Sequence, residues 1–182
     1  MGRDPISGDC HGPFSGDHNN EGQRLMNILI TILEDALWSG VAAVGFGVLF
    51  NVPKRALVYC ALVGACGHAV RALMMTQFNM GITTATLIGA LVVGFMSKFI
   101  ARKLKMPSMI FGITGAIPMV PGVFAYQTMI SLGEMIHQEP GQIAVSLGEA
   151  AVNGVRTVAL LGCLALGITA PTFLLEREHP VV

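Results

Sequence analysis

Apolar residues along this chain gather into five stretches, 28–50, 56–76, 82–101, 109–132 and 154–175, with polar connectors between them. Each stretch is about 20 residues or more, enough to cross a ~30 Å hydrocarbon core at about 1.5 Å per residue. The pattern predicts an all-α membrane protein of five transmembrane helices. Buried helices of a soluble domain are the competing reading. Residues 1–25 form a polar, Gly-rich head in which Asp4, Asp9, Asp17 and Glu21 face Arg3 and Arg24. No apolar segment follows a basic start there, so the head does not read as a signal peptide. It holds too little apolar surface to fold, and disorder is expected. The membrane domain then covers 26–176, and 177–182 is a short tail.

Composition decides between membrane and soluble readings. Hydrophobic residues make up 53% of the 182 positions and charged residues 12%. Mean hydropathy is +0.65. A soluble domain carries about 25% charged residues. These values exclude a disordered chain, a nucleic-acid binder with a basic face and an ordinary cytosolic enzyme. Formal net charge is zero, which gives no sign of a polyanionic partner.

The connectors carry the topological information. Lys54 and Arg55 follow the first stretch, and Lys98, Arg102, Lys103 and Lys105 surround the third connector. With Arg177, seven of the eleven basic residues fall on one side, against Arg3, Arg24, Arg71 and Arg156 on the other. The positive-inside rule then places the head outside and the C-terminus inside. The fourth connector, 133–153, contains Glu134, Glu139 and Glu149 with a Pro140–Gly141 break. Its segment 142–152 is amphipathic and suits either a short interfacial helix or an extension of the last span. An odd number of spans also suits one half of an inverted pair, completed by a second copy or a separate chain.

The fourth stretch is interrupted by Gly115-Ala116-Ile117-Pro118-Met119-Val120-Pro121-Gly122. Two prolines remove two amide donors and clash with the preceding turn. Pro118 lies about 14 Å past Met109, near the midplane. Broken backbone at that depth persists only where protein or a water-filled cavity surrounds it. Its freed amides and carbonyls are candidate substrate ligands. The candidate binding set is Gly115, Pro118, Pro121 and Gly122, with Asn51 at the inner end of span one and Tyr126 one turn past the break. A helix that is merely kinked is the alternative.

Buried charge supplies the second candidate. Glu34 and Asp35 fall in the first span, and His68 and Arg71 in the second. A carboxylate at mid-membrane costs about 2.5–3.5 kcal/mol. Their depths of about 8–12 Å agree, which allows a carboxylate–Arg pair with a His nearby, a gate or proton relay. Snorkelling to the interface is the alternative. Neighbours on a helix differ by about 100°, so Glu34 and Asp35 do not share a groove. Small residues at four-residue spacing, such as Ala90 with Gly94 and Ala159 with Cys163 and Gly167, read as packing surfaces. Cys60, Cys66 and Cys163 read as small apolar residues, and Cys10 lies in the head. No zinc spacing, phosphate loop or nucleophile constellation is evident. No cofactor, metal or catalytic set is expected, and the chain does not read as an enzyme.

Asn51-Val52-Pro53 with Arg55-Ala56-Leu57, Gly67-His68 with Arg71, and Ala116 to Gly122 with Ala125-Tyr126 resemble the threonine/serine exporter family, in its small YjjB-type subunit. The similarity runs from about Leu33 to the C-terminus. The resemblance implies a bacterial inner-membrane export system for small amphoteric or acidic metabolites: threonine, serine, or a succinate-like dicarboxylate. It implies a larger YjjP-type membrane partner, with a homo-oligomer as the other possibility, and export drawing on an ion gradient. It carries no established catalytic residue onto this chain. Two other classes are an assembly subunit scaffolding a partner that holds the whole site, and an intramembrane enzyme; a passive small-solute channel is a variant of the exporter reading. An intramembrane enzyme would need a nucleophile or metal set at the midplane, where only His68 is close.

Overall fold

The computed structural model describes residues 17–137 and 140–175. The helices are α1 (Asp17–Leu49), α2 (Lys54–Gln77), α3 (Ile82–Leu104), α4 (Ser108–Ala116), α5 (Gly122–Glu134) and α6 (Pro140–Leu175). A 3-10 turn, Ile117–Met119, joins α4 to α5. No strand occurs among the described residues. α1, α2, α3 and α6 each hold a window apolar enough to cross a membrane; α4 and α5 together are also apolar enough, bent by 56° at their junction, as one broken span or a re-entrant pair. The chain is an all-α membrane protein.

One boundary differs from the expectation. The head was expected to be disordered to residue 25, but helix α1 begins at Asp17. Once the apolar part of α1 is helical, each added residue gains a hydrogen bond without a new nucleation step. Residues 1–16 and the tail at 177–182 lie outside the described residues. The segment 142–152 takes the second of its two expected forms, an extension of the last span and not a separate helix. It is the start of α6, a helix of 36 residues and about 54 Å.

α1, α2, α3, α6 and α5 follow one another as packed neighbours, and α4 inserts against α2 and α3. Small residues allow the close approach. A methyl added at Gly64 would stand 2.7 Å from Ala43 Cβ, and one at Gly115 would stand 2.6 Å from Val63 Cγ1. One interior cluster, Val63, Ala90, Val93, Ala116, Met119 and Leu164, sits at mid-height. A second, Val52, Ala56, Cys60, Ala101 and Phe111, closes the end that carries the basic connectors. Large apolar side chains such as Leu29, Leu33, Leu37 and Trp38 on α1 point outward. In water they would form an oversized patch; in a bilayer they face lipid.

Contacts set the polarity of each helix. α4 rises from the basic end: Gly112 adjoins Ser97, Gly115 adjoins Val63, and Met119 adjoins Gly67 and Gly89. α6 runs parallel to α3, since Gly167 adjoins Ala90 while Gly94 adjoins Pro171. α5 leaves the bundle axis and packs principally on the first half of α6, with Gly154 beside Thr128. The α5–α6 hairpin therefore stands at the end opposite the basic connectors.

Candidate functional site

The break is built by two prolines with different local effects. Pro118 has no N–H, so the Thr114 carbonyl loses its helical donor. Pro121 likewise denies Ile117 its donor, and that carbonyl accepts Val120 N instead, at 3.0 Å. Pro121 itself has φ −78 and ψ 61, an inverse γ-turn closed by Gly122 N donating to Val120 O at 2.8 Å. α5 then starts, with Ala125 N donating to Pro121 O at 3.2 Å. The Met119 carbonyl is left without a backbone donor.

Arg71 reaches that carbonyl. Its guanidinium donates to Met119 O at 3.4 Å from 48 residues away in the chain. Among the described residues Arg71 makes no ion pair. His68 lies three residues earlier on the same face of α2. Its Nδ1 is sealed from solvent with no hydrogen-bond partner among protein groups. Leaving such a group unpaired costs about 1–3 kcal/mol. Asp35 and Arg71 both lie within electrostatic reach of His68. Met119 packs against Gly89, seven residues into α3. That is about 10 Å from one end of α3 and about 22 Å from the other. The break thus lies inside the hydrocarbon zone, displaced from the middle toward the α2–α3 turn.

The expected site residues divide into two groups. Pro118 is half-buried and Pro121 buried, and Met119 between them meets Arg71, which with Asp35 lies near His68. Asp35 is exposed and does not pair with Arg71, so the anticipated carboxylate–Arg bridge is not formed. Glu34 is also exposed; it stands about 100° around α1 from Asp35. Gly115 is buried where α4 presses on α2, a packing position. Gly122 is exposed, with nothing within 4 Å of an added methyl.

Tyr126 and Asn51 stand apart from the break. Tyr126 is 67% exposed on α5, which has swung toward α6. Asn51 lies at the basic end, about 20 Å along α2 from the level of Gly67. Its φ of 56 is left-handed, with Val52 N donating to Gly47 O and Asn51 N to Val48 O. Those two backbone bonds are the Schellman closure of α1.

Sequence reasoning missed the acceptor that Arg71 finds, because a backbone carbonyl has no residue type to read. It also missed a polar face formed by Gln127, Ser131 and Glu134 on α5 opposite Glu149 and Asn153 on α6. The three- and four-residue spacings within each helix were the available signal.

A family model described as "Threonine/Serine exporter, ThrE" matches residues 35–174. An uncharacterized protein of Haemophilus influenzae is 35% identical over 155 residues, which is 85% of this chain and 51% of that protein. The chain spans about half the length of that curated relative. No solved structure matches.

Proposed function

This chain belongs to the threonine/serine exporter family, and from that premise we propose that it is one membrane subunit of a secondary exporter of small amino acids or carboxylates. Threonine and serine are the first substrates to test, and a succinate-like dicarboxylate the next. The carrying observation is the Arg71 guanidinium held at the orphaned Met119 carbonyl beside His68, within a membrane bundle. A guanidinium presents five donors, and one long bond to a carbonyl leaves the others for a substrate carboxylate. A cation inside a span is expensive unless a partner or a function repays it. Asp35 would take or release a proton close to His68. A second membrane subunit, YjjP-type or a further copy, would supply the inverted half. The relative's unmatched half is consistent with such a need for more chain.

Efflux from cells preloaded with labelled threonine, serine or succinate tests this reading. The chain is expressed alone, with a YjjP-type partner, and with that partner plus Pro118→Ala/Pro121→Ala. The expected result is efflux only with the partner, reduced at least tenfold in the double variant while both chains still reach the membrane. Undiminished efflux in the double variant would place the site in the partner and make this chain a scaffold.

A further inference from the structure

α5 and the first half of α6 enclose a groove of about 730 Å³. Gln127, Ser131 and Glu134 line one wall, and Glu149 and Asn153 the other. No Lys or Arg is among the lining residues, and neither carboxylate makes an ion pair among the described residues. Glu134 is the last residue of α5, at the negative end of its dipole, so helix stability does not account for a carboxylate there. Ser131 is only 6% exposed yet makes no hydrogen bond, although a helical Ser can bond to its own preceding turn. Its hydroxyl faces the groove unpartnered. The volume falls in the range that holds small organic molecules, about 300–1,000 Å³, and far exceeds a metal-ion cage.

α6 is about 24 Å longer than a ~30 Å core, and its parallel packing with α3 puts the excess at the end away from the basic connectors. The carboxylates thus stand beyond the core, on the same side of the bundle as the α2–α3 turn. With the orientation favoured by the basic connectors, this is the exit end.

We propose that the groove is an exit-side relay for the protonated amino group of the transported solute. Glu134 and Glu149 supply the counter-charge, and Ser131, Gln127 and Asn153 accept its remaining hydrogen bonds. The inference rests on the exporter reading and adds to it the feature that favours amino acids over dicarboxylates. Binding at such a relay is weak, because a solute must leave as readily as it arrives.

The test is a saturation-transfer NMR titration of the full chain in nanodiscs with L-threonine and with N-acetyl-L-threonine, which has no ammonium. Threonine is expected to bind at least tenfold more tightly. Glu134→Gln/Glu149→Gln should abolish that preference. Gly148→Leu should block binding: nothing lies within 4 Å of a methyl at Gly148, and leucine favours the helix, so the variant folds. No threonine binding, equal binding of the acetylated form, unchanged binding in the double Gln variant, or displacement by Na⁺ alone would overturn the proposal. Amine-selective binding without efflux would defeat the exporter reading and leave the groove standing. Efflux with binding insensitive to Glu134 and Glu149 would do the reverse.

Discussion

Arg71 is held by geometry that lysine does not reproduce. A guanidinium spreads its donors over a plane, so one can bond the Met119 carbonyl while others face a second group. An ammonium is a compact point charge and would have to choose. Arg71→Gln should therefore lower threonine efflux at least tenfold, and Arg71→Lys should keep the charge yet still lose several-fold. Efflux normalised to the amount of chain in the membrane checks this; equal activity of the Gln variant would remove Arg71 from the site. The residue types at the break were legible because proline and arginine act through properties visible in sequence: a missing donor and an expensive charge. Their meeting was not legible, since it joins a side chain to a backbone oxygen 48 positions away. Asn51 is legible as a polar residue at a span end, but its left-handed backbone, which closes α1, is not.

At the level of elements, the α3–α6 pair depends on a second proline. Pro171 lies inside α6 and removes the donor for the Gly167 carbonyl, four residues earlier. That oxygen turns to α3, where a methyl on Gly94 would stand 2.5 Å from it. Without a side chain at Gly94 the two backbones can approach closely at this crossing. Gly94→Val should force the helices apart and cost about 1–3 kcal/mol, as overpacking does. Gly45→Ala on α1 is the control, because nothing lies within 4 Å of its added methyl. Thermal melts followed by circular dichroism in detergent should show a lower midpoint for the first and none for the second. The small-residue spacing of Ala90 with Gly94 made this contact legible as packing. The extension of α6 through 142–152 was one of two readings the pattern allowed, but its start at Pro140 was not legible, because Pro140–Gly141 resembles a loop. Pro140 is instead the first residue of the helix, where a proline loses nothing.

Over the whole molecule, the direction of α6 determines what the bent pair is. If α4 and α5 formed a re-entrant loop, α6 would start at the basic end and run antiparallel to α3. The packing of Gly167 on Ala90 and of Pro171 on Gly94 gives the parallel sense. The pair is therefore one broken crossing, and an odd number of crossings puts the start of α1 and the end of α6 on opposite faces. Broken rather than re-entrant backbone matters for function, because interrupted crossings at the repeat interface are a recurring way for transporters to build a substrate site. Single cysteines in a background lacking the native thiols test this directly. Asn79→Cys, in the α2–α3 turn, and Gln142→Cys, at the start of α6, should react with a membrane-impermeant maleimide from one side. Lys54→Cys and Lys103→Cys should react from the other. All four positions are exposed, so failure to label would reflect sidedness and not burial. Labelling of Gln142→Cys together with Lys103→Cys would make the bent pair re-entrant, reverse α6, and move the α5–α6 groove to the face that carries the basic connectors.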